Sequence, residues 1–131
     1  MNTVFLVLAA FIFLFAVRSL WQARPSITPA EAHAAVKSGD AILIDVREPG
    51  EWSSGVAHSC VLLAFSDLRG SRRKWEPFLN ANRDKQLVLY CASGTRSGMA
   101  AGRLRREGFN VANLGGISRW TGAGLPLGRP K

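Results

Sequence analysis

The sequence predicts an α/β fold: a parallel sheet flanked by helices on both faces, preceded by one N-terminal transmembrane helix. Three observations carry this. Short apolar runs, Ala41–Val46, Val61–Leu63, Leu87–Tyr90 and Phe109–Leu114, alternate with segments of helical composition, the order of a sheet built from crossovers. The two strongest runs, Ala41–Ile44 within the first and Leu87–Tyr90, are unbroken by charged residues, the pattern of buried strands. Before them all, Val4–Val17 has no charge, glycine or proline.

The chain has 131 residues, enough for one ordinary domain after an N-terminal segment. Two cysteines, Cys60 and Cys91, are too few for a disulfide framework, and no C-x-x-C or other metal spacing occurs. No metal or cofactor is expected. Net charge is +8, gathered at Arg69, Arg72, Arg73 and Lys74 and again at Arg103, Arg105 and Arg106. Neither cluster is interleaved with aromatics as in a nucleic-acid module, so no nucleic-acid partner is expected. A solvated basic face, or attraction to anionic substrates and lipid headgroups, fits better.

Val4–Val17 alone is short for a bilayer, which takes about 17–25 residues. Met1–Thr3 and Ser19–Trp21 extend it, and Trp21 sits where an interfacial aromatic belongs. A signal peptide is the rival reading, but it needs basic residues before the run and a small-x-small cleavage site. Here Arg18 follows the run and nothing basic precedes it. Residues 1–22 are therefore read as a retained anchor, 23–27 as a linker and 28–128 as the globular domain.

Thr28 starts a helix as its N-cap, with Pro29 first inside and Glu31 completing a capping box; Gly39 stops it. Ala41–Val46 is a buried strand ending in Asp45, Arg47 and Glu48, charges at the sheet edge where open α/β folds bind ligands. Neither Asp45 nor Arg47 has an obvious proton to move, so both read as supporting residues, in a structural ion pair or as a loop cap. Pro49–Trp52 begins a short helix and Val61–Leu63 a brief strand. Ser71–Ala81 reads as one amphipathic helix with Trp75, Phe78 and Leu79 inward. Ser97–Glu107 is the next helix, Phe109–Leu114 the last strand, and Gly115–Gly116 a turn into a final helical segment bearing Trp120.

The chemistry centres on Cys91. It ends the Leu87–Tyr90 strand, and a loop of small residues, Ala92–Ser93–Gly94–Thr95, leads to a helix N-terminus. Helical amides and the positive end of the helix dipole favour thiolate over thiol there, and Arg96 adds a full charge. The plain alternative is a small buried core residue. The uncovered loop favours a reactive thiol.

Four segments, in order, resemble a rhodanese domain of the single-domain bacterial type: Leu43–Glu48 with Glu51–Trp52, Cys91–Ser97, Leu114–Ile117 with Trp120, and Gly124–Pro126. Gly55–Cys60 departs from the family's usual segment, and Ala92 stands where a basic residue is common. The resemblance implies a sulfurtransferase in which the Cys91 thiolate takes sulfur from a small sulfane donor such as thiosulfate and holds it as a persulfide. Cyanide, a thiol or a protein sulfur acceptor then removes it. It also implies that Ala92, Ser93, Gly94, Thr95, Arg96 and Ser97 form the substrate-binding loop, with Arg96 holding either the donor's anionic tail or the loop itself. His33, His58 and Cys60 read as structural. Cysteine-dependent phosphatases share this fold, but a phosphate cradle needs five residues between Cys and Arg, and only Ala92, Ser93, Gly94 and Thr95 intervene. A non-catalytic or sulfur-relay tethered module is the remaining alternative. Arg18 and Arg24 after the apolar run point to a bacterial inner-membrane protein with its N-terminus out and its domain cytoplasmic.

Overall fold

The computed structural model describes residues 2–131, so Met1, the first residue of the expected anchor, lies outside the described residues. Helix α1 (Thr3–Ala23) is capped by the Asn2 side chain, which accepts from the Val4 N–H at 3.1 Å. None of its residues is buried, and its mean hydropathy of 2.4 and length suffice to cross a membrane. It runs one residue into the segment read as linker.

Helix α2 (Pro29–Ser38) begins at Thr28 as expected, the hydroxyl accepting from the Glu31 N–H at 3.1 Å. The Glu31 carboxylate closes back on that hydroxyl at 2.8 Å rather than on a backbone amide. Gly39 ends the helix with φ +85°, a conformation that costs glycine little.

Strand β1 (Ala41–Asp45) leads to α3 (Pro49–Trp52), β2 (Val56–Ala57) and β3 (Val61–Leu62). Helices α4 (Phe65–Arg69) and α5 (Trp75–Ala81) follow, then β4 (Gln86–Cys91), α6 (Thr95–Arg106), β5 (Val111–Gly116), α7 (Ile117–Gly122) and β6 (Leu127–Gly128). The main sheet is parallel throughout, in the order β3-β1-β4-β5. Strands β2 and β6 make a separate antiparallel pair.

The helix expected over 71–81 and the last strand differ from the sequence reading. The helix begins only at Trp75, after the separate short helix α4, because the Asp67 carboxylate accepts from the backbone N–H groups of Arg73, Lys74 and Trp75 at 3.0–3.1 Å. That carboxylate caps α5 from outside and fixes its start. The last strand starts at Val111, since the Phe109 N–H is drawn to the carbonyl of Leu104 at 3.0 Å. It then runs through Gly115 and Gly116, which pair with Tyr90 and Cys91 instead of turning the chain.

Side-chain alternation splits the core in two. Ile44, Val46, Leu87, Leu89 and Cys91 face α4, α5 and α6 with Trp75 and Leu104. Ala41, Leu43, Val88 and Tyr90 face α2 and α7, with Trp120 at the centre.

Candidate active site

Cys91 is the last residue of β4, and its thiol has no exposed surface. The chain leaves the strand through Ala92 and Ser93, turns at Gly94, and enters α6 at Thr95, two residues earlier than the composition indicated. Gly94 takes φ +96°, and a Cβ there would stand 3.0 Å from the Ala23 carbonyl oxygen. Only glycine meets both demands cheaply.

That turn aims donors at the sulfur. The Gly94 N–H donates to Cys91 Sγ at 3.0 Å, the Ser97 hydroxyl at 3.4 Å and the Ser97 N–H at 3.5 Å. Burial pushes the thiol pKa up. The bonds from Ser97, Ser93 and Gly94 outweigh it, and the net shift is downward. Ser97 is itself buried, so its hydroxyl is a fixed part of the cradle. Ala92, Ser93 and Thr95 are exposed around it.

Arg96 lies in the first turn of α6, and its guanidinium is occupied. It forks onto the Glu51 carboxylate of α3 at 2.6 and 2.9 Å. The pair raises the Arg96 pKa and holds Glu51 down at about 2. Glu51 also accepts from the Glu48 N–H, and the Glu48 carboxylate takes the Ser66 N–H and hydroxyl. The loop is thereby braced to α3, and α3 to α4.

Asp45 and Arg47 are not part of the thiol cradle. They form a buried pair, Arg47 Nη2 to Asp45 Oδ2 at 2.8 Å, on the opposite side of the sheet. Tyr90 donates to Asp45 at 2.6 Å and accepts from the Ala57 N–H at 2.9 Å. Arg47 reaches the Gly55 carbonyl at 2.7 Å. Tyr90 and Cys91 are neighbours on β4, so their side chains leave opposite faces. This network therefore ties β1, β2 and β4 together beneath the site without touching the sulfur.

Cys60 lies on that same far face, half-buried, with its sulfur 3.7 Å from the Tyr90 hydroxyl. Burial pushes its thiol up to about 11. His33 stacks edge-on to Trp120, and both it and His58 line a cleft beside α2 and α7.

Asn113 was not singled out by the sequence reading. It is 3% exposed in β5, and its amide nitrogen lies 3.2 Å from the Gly94 carbonyl and 3.3 Å from those of Ala23 and Arg24. Its oxygen accepts from the Gly115 N–H at 3.0 Å. The available signal was one polar residue inside an apolar strand.

A parallel α/β sheet thus carries, at a helix N-terminus, a thiol in a cradle of donors that favours its thiolate form. Residues 28–123 match the family model described as the rhodanese-like domain. The chain belongs to the rhodanese-like family. It is 36% identical to the uncharacterized protein YqhL of Bacillus subtilis over 91% of both chains. It is 35% identical to a sulfurtransferase of Allochromatium vinosum, over 70% of this chain and 82% of that one. The crystal structure of a rhodanese-related protein from Thermoplasma volcanium superposes with a TM-score of 0.68 at 31% identity, over 82% of this chain and all of the other.

Proposed function

We propose that the chain is a rhodanese-type sulfurtransferase that carries sulfane sulfur on Cys91. The observation that supports this most directly is the cradle itself, three donors converging on one sulfur at 3.0–3.5 Å. In the first step the Cys91 thiolate attacks the outer sulfur of a donor such as thiosulfate. A new S–S bond forms on Cys91 as the donor's S–S bond breaks, and sulfite leaves with the bonding pair. In the second, cyanide or a thiolate attacks the persulfide's outer sulfur, and Cys91 recovers its electron pair as thiolate. Fixed N–H donors stabilise anionic sulfur throughout, at no reorganisation cost. In this reading residues 92–97 form the substrate-binding loop, the Gly94 and Ser97 N–H groups hold the sulfur, and Arg96 holds the loop through Glu51. Asp45 and Arg47 support the fold beneath it.

In this reading residues 1–22 anchor the chain in a bacterial inner membrane, 23–27 link, and 28–128 form the catalytic domain on the cytoplasmic side. Intact mass after incubation with thiosulfate tests the chemistry. One added sulfur is expected on the wild type and none on Cys91→Ser, whose circular dichroism stays unchanged. No gain on the wild type leaves a tethered binding module instead. Protease added to intact spheroplasts should spare the domain; digestion from outside reverses the orientation.

A further inference from the structure

Four arginines line one cleft of about 550 Å³ between α1 and α6: Arg18, Arg24 stacked on Trp21, Arg105 with one nitrogen on the Val111 carbonyl, and Arg106. None of the four has an acidic partner among the described residues. The arginines that do, Arg47, Arg72, Arg96 and Arg103, pair elsewhere. Such a gathering of like charge in a concave site is unfavourable unless something anionic answers it.

The cleft exists because the two helices meet backbone to backbone. Gly98 and Gly102 stand one turn apart on α6, and a Cβ at Gly98 would fall 1.7 Å from the Gln22 carbonyl oxygen. Glycine inside a helix is destabilising; here it lets α1 seat directly on α6. The contacts also give the direction. Ala23 meets Gly94, Gln22 meets Gly98, and Arg18 shares the cleft with Gly102, Arg105 and Arg106. Helix α1 is therefore antiparallel to α6. Its apolar stretch, Val4–Val17, departs past the C-terminal end of α6, while the Cys91 loop lies at the N-terminal end. Twelve helical residues separate those ends, about 18 Å.

We propose that this arginine cleft seats the headgroup of an anionic phospholipid. The bound lipid fixes the domain on the membrane with the Cys91 loop at the end away from the bilayer. The proposal rests on reading α1 as a membrane span. Arg18 is the first charge after the apolar run and so lies at headgroup depth. Arg105 and Arg106 reach the same level from the domain, and guanidinium forks suit a phosphodiester. Sulfur donors and acceptors then approach from the aqueous side.

The test uses the full chain in nanodiscs of phosphatidylcholine alone or mixed with phosphatidylglycerol. Phosphatidylglycerol should raise the unfolding temperature by several degrees and be retained in native mass spectra. Arg105→Gln/Arg106→Gln should lose both effects with thiosulfate:cyanide turnover unchanged. Arg105→Lys/Arg106→Lys should keep part of the shift, which separates lost charge from a damaged fold. Equal stability in both discs overturns the headgroup seat, as does equal stabilisation of the detergent-solubilised chain by inorganic phosphate. A chain that fails to float with vesicles overturns the membrane span itself and the proposal with it.

Discussion

The Arg96 guanidinium lies fork to fork on the Glu51 carboxylate, 2.6 and 2.9 Å away, so the loop's one cation faces α3. Both side chains are about one-third exposed, and such pairs contribute roughly 0.2–1 kcal/mol to stability. Glu51→Gln should therefore lower stability by less than about 1 kcal/mol, while loosening the loop enough to slow sulfur transfer. Glu51 titrates at about 2 in the fold against an ordinary 4.5. A depressed carboxylate stabilises above its unfolded pKa and loses that contribution as pH falls through the folded value. The stability gap between wild type and Glu51→Gln should close between pH 4.5 and 2 in urea melts, and a gap that widens there contradicts the pairing.

Ser97 gives the thiolate both its amide and its hydroxyl. Ser97→Ala removes only the hydroxyl, leaving the helix start in place. Hydrogen bonds to charged groups contribute about 1.5–3 kcal/mol, so turnover should fall roughly ten- to hundredfold. The pH profile of Cys91 alkylation should move upward, because a donor that favours thiolate is gone. An unchanged profile removes Ser97 from the cradle.

Two cues disagree about which cysteine reacts. Cys60 is the more exposed, yet its pKa is pushed up to about 11, whereas that of Cys91 is lowered. Thiolate character governs nucleophilicity, so a small alkylating reagent near neutral pH should modify Cys91 first. The sulfurs also sit on opposite faces of the sheet, in separate core clusters. Mild oxidation should therefore give no Cys60–Cys91 disulfide. Faster labelling of Cys60, or that disulfide, overturns the assignment.

The strands and the thiol loop were readable because each depends on local chemistry. Four apolar runs, a capping threonine and a cysteine before small residues need no distant partner to be recognised. What escaped depends on contacts remote in sequence. Asp67 delays the expected helix to Trp75 by capping α5 across a bend, Glu51 meets Arg96 over 45 positions, and Asn113 meets Ala23 over 90. Strand β6 is two residues long and exists only by pairing with β2. Hydrophobic period and propensity carry none of these.

Asn113 offers the sharpest test of that long-range wiring. Its amide serves the Gly94 carbonyl in the loop and the carbonyls of Ala23 and Arg24 where α1 ends, while its backbone N–H donates to the Ser26 hydroxyl at 2.9 Å. One side chain thus joins the end of α1, β5 and the turn that aims the Gly94 N–H at sulfur. Asn113→Ala leaves a small void, takes the donor from these carbonyls and takes the acceptor from the buried Gly115 N–H. An unsatisfied buried polar group costs about 1–3 kcal/mol, and the variant's stability should fall by roughly that amount. The Gly94 carbonyl keeps its bond from the Gly98 N–H at 2.9 Å, so the helix start should survive while the turn before it loosens. Faster hydrogen exchange at Gly94 and an upward shift in the Cys91 alkylation profile should therefore accompany the loss of stability. A variant that is destabilised but keeps the wild-type alkylation profile would leave Asn113 as a brace for α1 alone, with no hold on the thiol.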